Sequence, residues 1–260
     1  MQLSAQDCFT RLRWSGRTLY DNTHDAVFFN GTCAGFSLCF SGTRLTMDAL
    51  AFPESYPGEE DSLPWLVLFF DGKPEPERVF CLQPGEQTVT LFGSDAVETH
   101  TITIIKRSEG SKGRAGLCSL TLDGTLLELP PEEKRRRIEF VGDSITCGFG
   151  NEMPPEAAQF SAEQENGLLS YGAIAARLLD AEAQMICVSG IPLCWARDES
   201  YRMTLPWAPE FQPPVRTMEG YYPFADRFHE EREGKTDGFT PWDFSRFVPD
   251  AVVINLGTND

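Results

Sequence analysis

Long apolar runs are missing from this 260-residue sequence. No stretch approaches the roughly 18 consecutive apolar residues that a membrane-spanning helix needs, so we expect no membrane partner. The first residues, MQLSAQDCFTRLRWSG, do not combine a basic start with an apolar core. They therefore predict no secretory signal and, taken alone, a cytoplasmic location.

Positive charge is scarce. The chain has 22 Lys and Arg against 39 Asp and Glu, which gives a formal net charge of −17. A nucleic-acid backbone or an anionic membrane would be repelled by this charge, and we exclude nucleic acid as a partner. Neutral sugars, and esters whose hydrolysis releases an anion, are compatible with it. The oligomeric state is not indicated.

Paired cysteine motifs are also absent. The cysteines are scattered among apolar neighbours without any CxxC pair, which predicts reduced, buried thiols and no clustered zinc ligands. The glycine-rich segment 142–150 has no Gly-Lys-Ser/Thr, so it is not a phosphate loop. We expect neither a metal nor an organic cofactor. The eight cysteines are Cys8, Cys33, Cys39, Cys81, Cys118, Cys147, Cys187 and Cys194.

The first half of the chain has the pattern of short strands separated by turn residues. From Arg11 to about Leu129, apolar and β-branched runs recur every 8 to 12 residues or so, and they predict an antiparallel β-sandwich of the jelly-roll type without helices. Two prolines and a basic run then end the pattern, so we predict one domain over residues 1–133 and a second over 134–260. The predicted strands include Ala26–Asn30, Gly35–Phe40, Arg44–Phe52, Trp65–Phe70, Thr88–Phe92, Thr101–Lys106 and Leu117–Leu122.

The second half predicts an α/β domain with a parallel sheet. Its strands are the apolar runs Ile138–Val141, Met185–Ser189 and Ala251–Leu256, and a helix over Gly167–Ala181 has an apolar stripe and Asn166 as its N-cap. Glycine-rich polar residues follow each strand. Active sites of open parallel sheets lie at this carboxyl edge.

Three such segments have the residue types that ester cleavage requires. Ser144 in GDS lies on a strand-to-helix turn that exposes a nucleophilic hydroxyl. Gly190 can bring a backbone N–H close to a substrate, and Asn259 in GTND offers a neutral amide donor. Together these donors would form an oxyanion hole around Ser144.

The order of these blocks resembles the SGNH (GDSL-like) hydrolases. EFVGDSITCGFGNE and VVINLGTND, with a β-domain ahead of them, are most similar to carbohydrate esterase family 2. The resemblance implies a jelly roll followed by an SGNH three-layer α/β/α domain that deacetylates plant polysaccharides, and an extracellular setting. It also implies that Ser144 is the nucleophile and that Gly190 and Asn259 complete the oxyanion hole. The family's second block usually reads S-G-x-G, whereas Pro192 stands here at the second glycine.

A general base is missing from the pattern. In the resembled superfamily a histidine follows the G-x-N-D block, and none follows it here. His24 and His100 belong to the β-domain, and His229 lies in a charged stretch that we interpret as a solvated helix. We therefore expect that the sequence is truncated and that a chain ending at Asp260 hydrolyses esters poorly.

Other residues near the blocks have simpler interpretations. We predict that Asp143 is an N-cap, that Asp260 holds a loop and that Cys147 packs in the core. Trp195 and Trp242 are candidate sugar-binding aromatics, although core packing is an equally good interpretation of either ring.

The sequence thus predicts a serine esterase that removes O-acetyl groups from carbohydrates. Two alternatives stay open: an SGNH lipase or thioesterase acting on non-sugar acyl esters, and a non-catalytic glycan-binding protein in which the jelly roll binds the ligand. The preferred sugar and the position of the acetyl group are not indicated.

Overall fold

A computed structural model describes residues 1–55, 62–131, 136–157, 159–193 and 217–260. In these ranges an antiparallel sheet comes first and a small parallel sheet with short helices follows it, so the predicted order of β and α/β structure is confirmed. The predicted boundary between residues 133 and 134 lies outside the described residues. No helix in the described ranges has the length and apolar composition to cross a bilayer.

Nine strands of the described residues form the antiparallel sheet. Its main path runs in the order β3-β4-β9-β5-β8-β6-β7, while β1 pairs with β9 and β2 pairs with β5. The strands are β1 (Gln2–Ser4), β2 (Arg13–Ser15), β3 (Leu19–Asp21), β4 (Ala26–Phe28), β5 (Gly35–Phe52), β6 (Trp65–Phe70), β7 (Arg78–Cys81), β8 (Gly85–Lys106) and β9 (Arg114–Leu127).

Strand length differs from the prediction. Gly35–Phe40 and Arg44–Phe52 were predicted as separate strands, but they form the single 18-residue strand β5. The β5–β8 register shifts between Gly42 and Arg44, as in a β-bulge, which bends a strand without ending it. The predicted strands Thr88–Phe92 and Thr101–Lys106 merge in the same way into β8.

The antiparallel sheet curls around one apolar core. Leu38 from the first half of β5 and Leu45 and Met47 from its second half belong to the same cluster of buried residues, and each is at most 1% exposed. Alternate side chains along a strand point to one face, so the long strands bring their inner faces together by bending. Seven cysteines of the described ranges are free thiols.

An α-helix lies in this half, where none was predicted. Helix α1 (Ala5–Arg11) begins at Ser4, whose side chain accepts a hydrogen bond from the Asp7 N–H, while Asp7 reaches back to the Ser4 N–H. This capping box stabilises a helix too short to give a clear periodic signal in the sequence.

The parallel sheet has β10 (Arg136–Gly142) at its centre, between β11 (Ala181–Cys187) and β12 (Ala251–Asn255). Its core is formed mainly by Phe140 and Met185 with small residues of the neighbouring helices. The helices are α2 (Ser144–Cys147), α3 (Tyr171–Leu178), α4 (Met218–Tyr221) and α5 (Arg227–Arg232).

The helix predicted over Gly167–Ala181 is shorter than expected. A 3-10 turn covers Gly167–Leu169, and Asn166 caps it by accepting a hydrogen bond from the Leu168 N–H at 3.2 Å. Ser170 is extended and separates this turn from α3, and Ala181 already belongs to β11. The predicted capping by Asn166 is confirmed, although it stabilises the turn and not the helix.

Candidate active site

The three polar segments emerge at one edge of the parallel sheet. Gly142 ends β10, and its register partners are Cys187 in β11 and Asn255 in β12. Since the three strands run in the same direction, the residues that follow them leave the sheet side by side. The predicted convergence of the blocks is therefore present in the fold.

Ser144 is the first residue of α2 and is half-buried. The Asp143 side chain accepts a hydrogen bond from the Ile145 N–H at 3.0 Å, which confirms Asp143 as the N-cap. A Cβ on Gly142 would lie 1.9 Å from Thr146 Oγ1, so only glycine allows the chain to turn this sharply from strand to helix. This turn is what places the Ser144 side chain at the sheet edge.

Cys147 lies behind Ser144 and is fully buried against Phe140 and Met185. Burial raises the pKa of the Cys147 thiol well above its usual value, since the thiolate would be desolvated. The predicted packing role of Cys147 is confirmed.

The Ser189–Gly190 turn follows β11. Its neighbours are tied to the sheet edge: the Val188 N–H donates to Gly142 O and the Ile191 N–H donates to Val188 O, both at 3.3 Å. Gly190 is exposed with φ +75°, a conformation that favours glycine. Among the described residues its N–H has no hydrogen-bond acceptor, so it is available to a substrate oxygen.

Asn259 connects the other two segments. Its side-chain Nδ2 donates to Ile191 O at 3.1 Å and approaches Asp143 Oδ2 at 3.4 Å. The carboxamide therefore lies between the residue before Ser144 and the residue after Gly190. Both Asp260 carboxylate oxygens accept from the Leu193 N–H, at 3.1 and 3.0 Å, and the predicted loop-holding role of Asp260 is confirmed.

Several known proteins are similar to this chain in sequence and in fold. Residues 14–130 match the family model described as Carbohydrate esterase 2 N-terminal. The chain is 31% identical over 245 residues to the Cellulase/esterase CelE of Acetivibrio thermocellus, an alignment covering 92% of this chain and 27% of that protein. Residues 14–130 belong to the Carbohydrate esterase 2 N-terminal family.

Two further family 2 comparisons cover most of the chain. It is 29% identical over 253 residues to the Acetylxylan esterase / glucomannan deacetylase of Cellvibrio japonicus, covering 94% of this chain and 60% of that protein. It matches the solved family two carbohydrate esterase from Clostridium thermocellum in complex with cellohexaose with a TM-score of 0.74 and 30% identity, over 96% of this chain and 66% of that one. The chain thus spans less than two thirds of the curated relatives it matches.

The ring nitrogens of the three histidines all contact residues away from Ser144. His24 Nε2 lies 2.9 Å from Glu233, and His100 contacts Asp71 and Glu98 on the antiparallel sheet. None of these partners belongs to the three segments at the sheet edge. The structure therefore places no histidine of this chain in a base position.

The prediction that His229 lies on a solvated helix is wrong. The residue is 1% exposed, its ring stacks on Phe28 at 3.9 Å, and its Nε2 lies 2.8 Å from Asp21 Oδ2. Arg114 Nη1 lies 3.1 Å from Nδ1. Because arginine can only donate, Nδ1 accepts this bond and the Nε2 hydrogen is donated to Asp21. His229 therefore packs α5 against the antiparallel sheet as a buried residue.

The two tryptophans that were candidate sugar-binding residues have different outcomes. Trp195 lies outside the described residues. Trp242 is 5% exposed and packs between the guanidinium groups of Arg17 and Arg246, at 5.4 and 4.9 Å from its ring. Its ring has no exposed face to support the predicted sugar contact.

A stacked pair beside Ser144 was missed by the sequence analysis. Phe149 and Phe160 stack at 3.9 Å, and the Phe149 N–H donates to Ser144 O at 3.0 Å. Phe149 is 42% exposed, although Phe160 stacks on its ring and Lys112 Nζ lies 5.4 Å from the ring centroid, so part of an aromatic side chain stays open near the turn that carries Ser144. Aromatic faces suit sugar rings. In the sequence, the signal for Phe149 was its position in GFG, shortly after the GDS block.

Glu109 is a second residue that the sequence analysis missed. It follows β8, in the antiparallel half, yet its Oε2 accepts a hydrogen bond from the Ser189 N–H at 2.8 Å. No local pattern could reveal a contact across 80 positions. In the described part of the chain, no group of three or more histidine, cysteine or acidic side chains is arranged as a metal-ligand set.

Proposed function

We propose that this chain carries the nucleophile and oxyanion hole of a serine esterase that removes O-acetyl groups from carbohydrates. The observation that carries the proposal is the position of Asn259, whose carboxamide contacts both Asp143, next to Ser144, and Ile191, next to Gly190. This position supports the inference that the Ser144 hydroxyl, the Gly190 N–H and the Asn259 amide, which follow three separate strands, face one point at the sheet edge. This combination suits a tetrahedral oxyanion.

In the proposed reaction, Ser144 Oγ attacks the acetyl carbonyl carbon while a general base accepts its proton. The carbonyl oxygen becomes negative and accepts hydrogen bonds from the Gly190 N–H and from Asn259 Nδ2, which would exchange its 3.4 Å contact with Asp143 Oδ2 for the oxyanion. The sugar oxygen then leaves with the proton, and water cleaves the resulting acetyl-Ser144 to release acetate. Since His24, His100 and His229 are bound elsewhere, we propose that none of these three histidines is the base.

The proposal includes the finer architecture. We propose that residues 1–133 form a jelly-roll domain and residues 134–260 belong to an SGNH three-layer α/β/α domain. The parallel order β11-β10-β12 and the turn from β10 into α2 support the second assignment. The compartment stays a prediction, cytoplasmic from the start of the sequence and extracellular from the family resemblance.

Carbohydrate esters are the substrate class that the relatives and the site favour together. One relative is named for acetylxylan and glucomannan, and a solved relative is in complex with cellohexaose. In this chain, the exposed Phe149 ring beside Ser144 offers a surface for a sugar ring. A lipase, a thioesterase or a glycan-binding module has no comparable observation in its favour.

Replacing the nucleophile tests the proposal. We expect Ser144→Ala, in the protein at its native length, to lower hydrolysis of p-nitrophenyl acetate and of acetylated xylan by about 10³-fold or more, because the acyl-enzyme cannot form. Ser245→Ala is the matched control. Ser245 is an exposed serine that precedes β12, at the amino end of the parallel strands, and we expect full activity from its variant.

Three outcomes would contradict the assignment. Hydrolysis that survives Ser144→Ala would exclude this serine as the nucleophile. Faster turnover of long-chain than of acetyl nitrophenyl esters would favour the lipase alternative. Xylan binding without any hydrolysis by the native-length protein would favour a glycan-binding module.

A further inference from the structure

The loop that follows β8 is held rigidly at its base. The Lys106 side chain is fully buried, and its Nζ donates to Ser108 O and to Glu109 O, each at 2.7 Å. The Glu109 N–H in turn donates to Glu165 Oε1. The backbone of Glu109 is therefore fixed by two buried polar side chains, Lys106 and Glu165.

The Glu109 side chain leaves this rigid base and crosses to the parallel sheet. Glu109 is 0% exposed, and its Oε2 lies 2.8 Å from the Ser189 nitrogen. A charged acceptor makes this hydrogen bond stronger than a neutral one, and burial protects it from competing water. The contact is thus a strong restraint on the turn after β11.

The restrained turn contains the donor that the proposed chemistry uses. The N–H groups of Val188, Ser189 and Ile191 are all bound, to Gly142 O, Glu109 Oε2 and Val188 O respectively. Among the described residues only the intervening Gly190 N–H of this turn has no acceptor. Because the residues on both sides of Gly190 are held by hydrogen bonds, the conformation of the turn determines the direction of the Gly190 N–H.

The Glu109 carboxylate lies among other buried titratable side chains. These are Lys106 from β8, Glu165 from the segment before α3 and Cys147 from α2. Burial, together with the Glu109 carboxylate, raises the pKa of Glu165 to about 8. Glu165 therefore holds its proton near neutral pH, which removes a like charge beside Glu109.

We propose that Glu109 is a positioning residue for this active site, whose buried carboxylate holds the Ser189–Gly190 turn so that the Gly190 N–H is presented to the oxyanion. The inference rests on the proposed esterase function and deepens it, because it gives the antiparallel half a direct part in catalysis. Glu109 itself does not touch the reacting atoms. It acts through the turn.

The test compares three variants of Glu109 in the native-length protein. We expect Glu109→Ala to lower kcat for p-nitrophenyl acetate by about 10- to 100-fold with KM changed less than about threefold, since a misplaced oxyanion donor weakens transition-state binding alone. Glu109→Gln keeps an oxygen acceptor at the same reach, and we expect at least about a third of the wild-type kcat. Glu109→Asp keeps the charge but is one methylene shorter, and we expect a loss similar to that of alanine.

The opposite expectations for Glu109→Gln and Glu109→Asp separate a positioning role of Glu109 from a role of its charge or an effect on folding. An active Glu109→Asp with an inactive Glu109→Gln would overturn the proposal, as would a wild-type kcat in Glu109→Ala. If the alanine variant does not fold, the Gln and Asp pair still decides. Glu163→Ala, an exposed glutamate in the neighbouring segment, is the matched control and is expected to be unchanged.

Ser144→Ala is measured in parallel, so that the two proposals can fail separately. Loss of hydrolysis in Ser144→Ala with full kcat in Glu109→Ala would contradict the positioning role of Glu109 and leave the esterase proposal intact. Retained hydrolysis in Ser144→Ala would sink the esterase site on which it rests.

Discussion

The antiparallel sheet and the parallel sheet bury their apolar residues to very different extents. In the antiparallel sheet Phe36 and Leu38 are at most 1% exposed. Around the parallel sheet, Leu178 of α3 is 82% exposed and Ile254 of β12 is 64% exposed. The first sheet therefore has a core made by its own strands, whereas the second keeps much apolar surface open in this chain.

The difference teaches how the candidate site is supported. The residues that we assign to chemistry all follow strands of the less buried sheet, but buried polar side chains from the other half hold their segments. Glu109 binds the Ser189 N–H, and Arg107 donates to Glu165 O at 3.0 Å and to Glu163 O at 2.8 Å. Stability and chemistry are thus concentrated in different halves and coupled by these few contacts.

A pair of leucines tests the stability side of this comparison. We expect Leu38→Ala to lower the free energy of unfolding by about 2–5 kcal/mol, because it removes buried methyl groups and leaves a cavity. The same substitution at the exposed Leu178 is expected to change it by less than about 0.5 kcal/mol. Urea denaturation of both variants measures the difference. Equal losses at the two positions would mean that burial does not divide the halves as described.

The chemical side is tested at Asn259. We expect Asn259→Ala to lower kcat for acetyl esters by about 10²–10³-fold through loss of one oxyanion donor, with the unfolding midpoint little changed. Thr258→Ala, at the exposed neighbouring residue, serves as the control and is expected to retain activity. Wild-type turnover in Asn259→Ala would remove the carboxamide from the proposed oxyanion hole.

The junction between the halves predicts a dependence of stability on pH. Burial and the Glu109 carboxylate raise the pKa of Glu165 from its usual 4.5 to about 8, so the folded protein retains a proton that the unfolded chain releases. This group's stabilising contribution is complete below about pH 4.5 and is lost as the pH rises to about 8.

We therefore expect the stability difference between wild type and Glu165→Gln to fall over that window. For one titrating group the slope is at most about 1.4 kcal/mol per pH unit. Urea unfolding at about pH 5 and about pH 8 measures it, with Glu163→Gln as an exposed control whose difference stays flat. A flat difference for Glu165→Gln would refute the buried-proton assignment.

Local patterns were sufficient for two strands, β6 and β12, and for the caps. Trp65–Phe70 was predicted with the bounds that it has, and Ala251–Leu256 within one residue, because continuous apolar runs mark buried strands clearly. Asp143 and Asn166 were predicted as caps because a cap bonds to backbone only two or three residues away. These features depend on neighbours in the sequence.

Features that depend on distant partners were not predictable. The charged stretch around His229 has the composition of a solvated helix, and only the approach of Asp21, Phe28 and Arg114 from the antiparallel sheet explains its burial. Glu109 has no periodic or motif signal, since its partner Ser189 lies 80 positions later. For the strands, turn residues near Gly42 suggested an end where a bulge continues β5.

The Glu109–Ser189 hydrogen bond has a consequence for recombining family members by domain exchange. A chimera that joins the antiparallel half of one relative to the parallel half of another would retain every nucleophile and amide, yet lose the buried acceptor if its loop differed in length or sequence. We expect such a hybrid to fold but to hydrolyse esters slowly. The loop from Lys106 to Lys112 and the segment that follows β11 therefore need to come from the same relative.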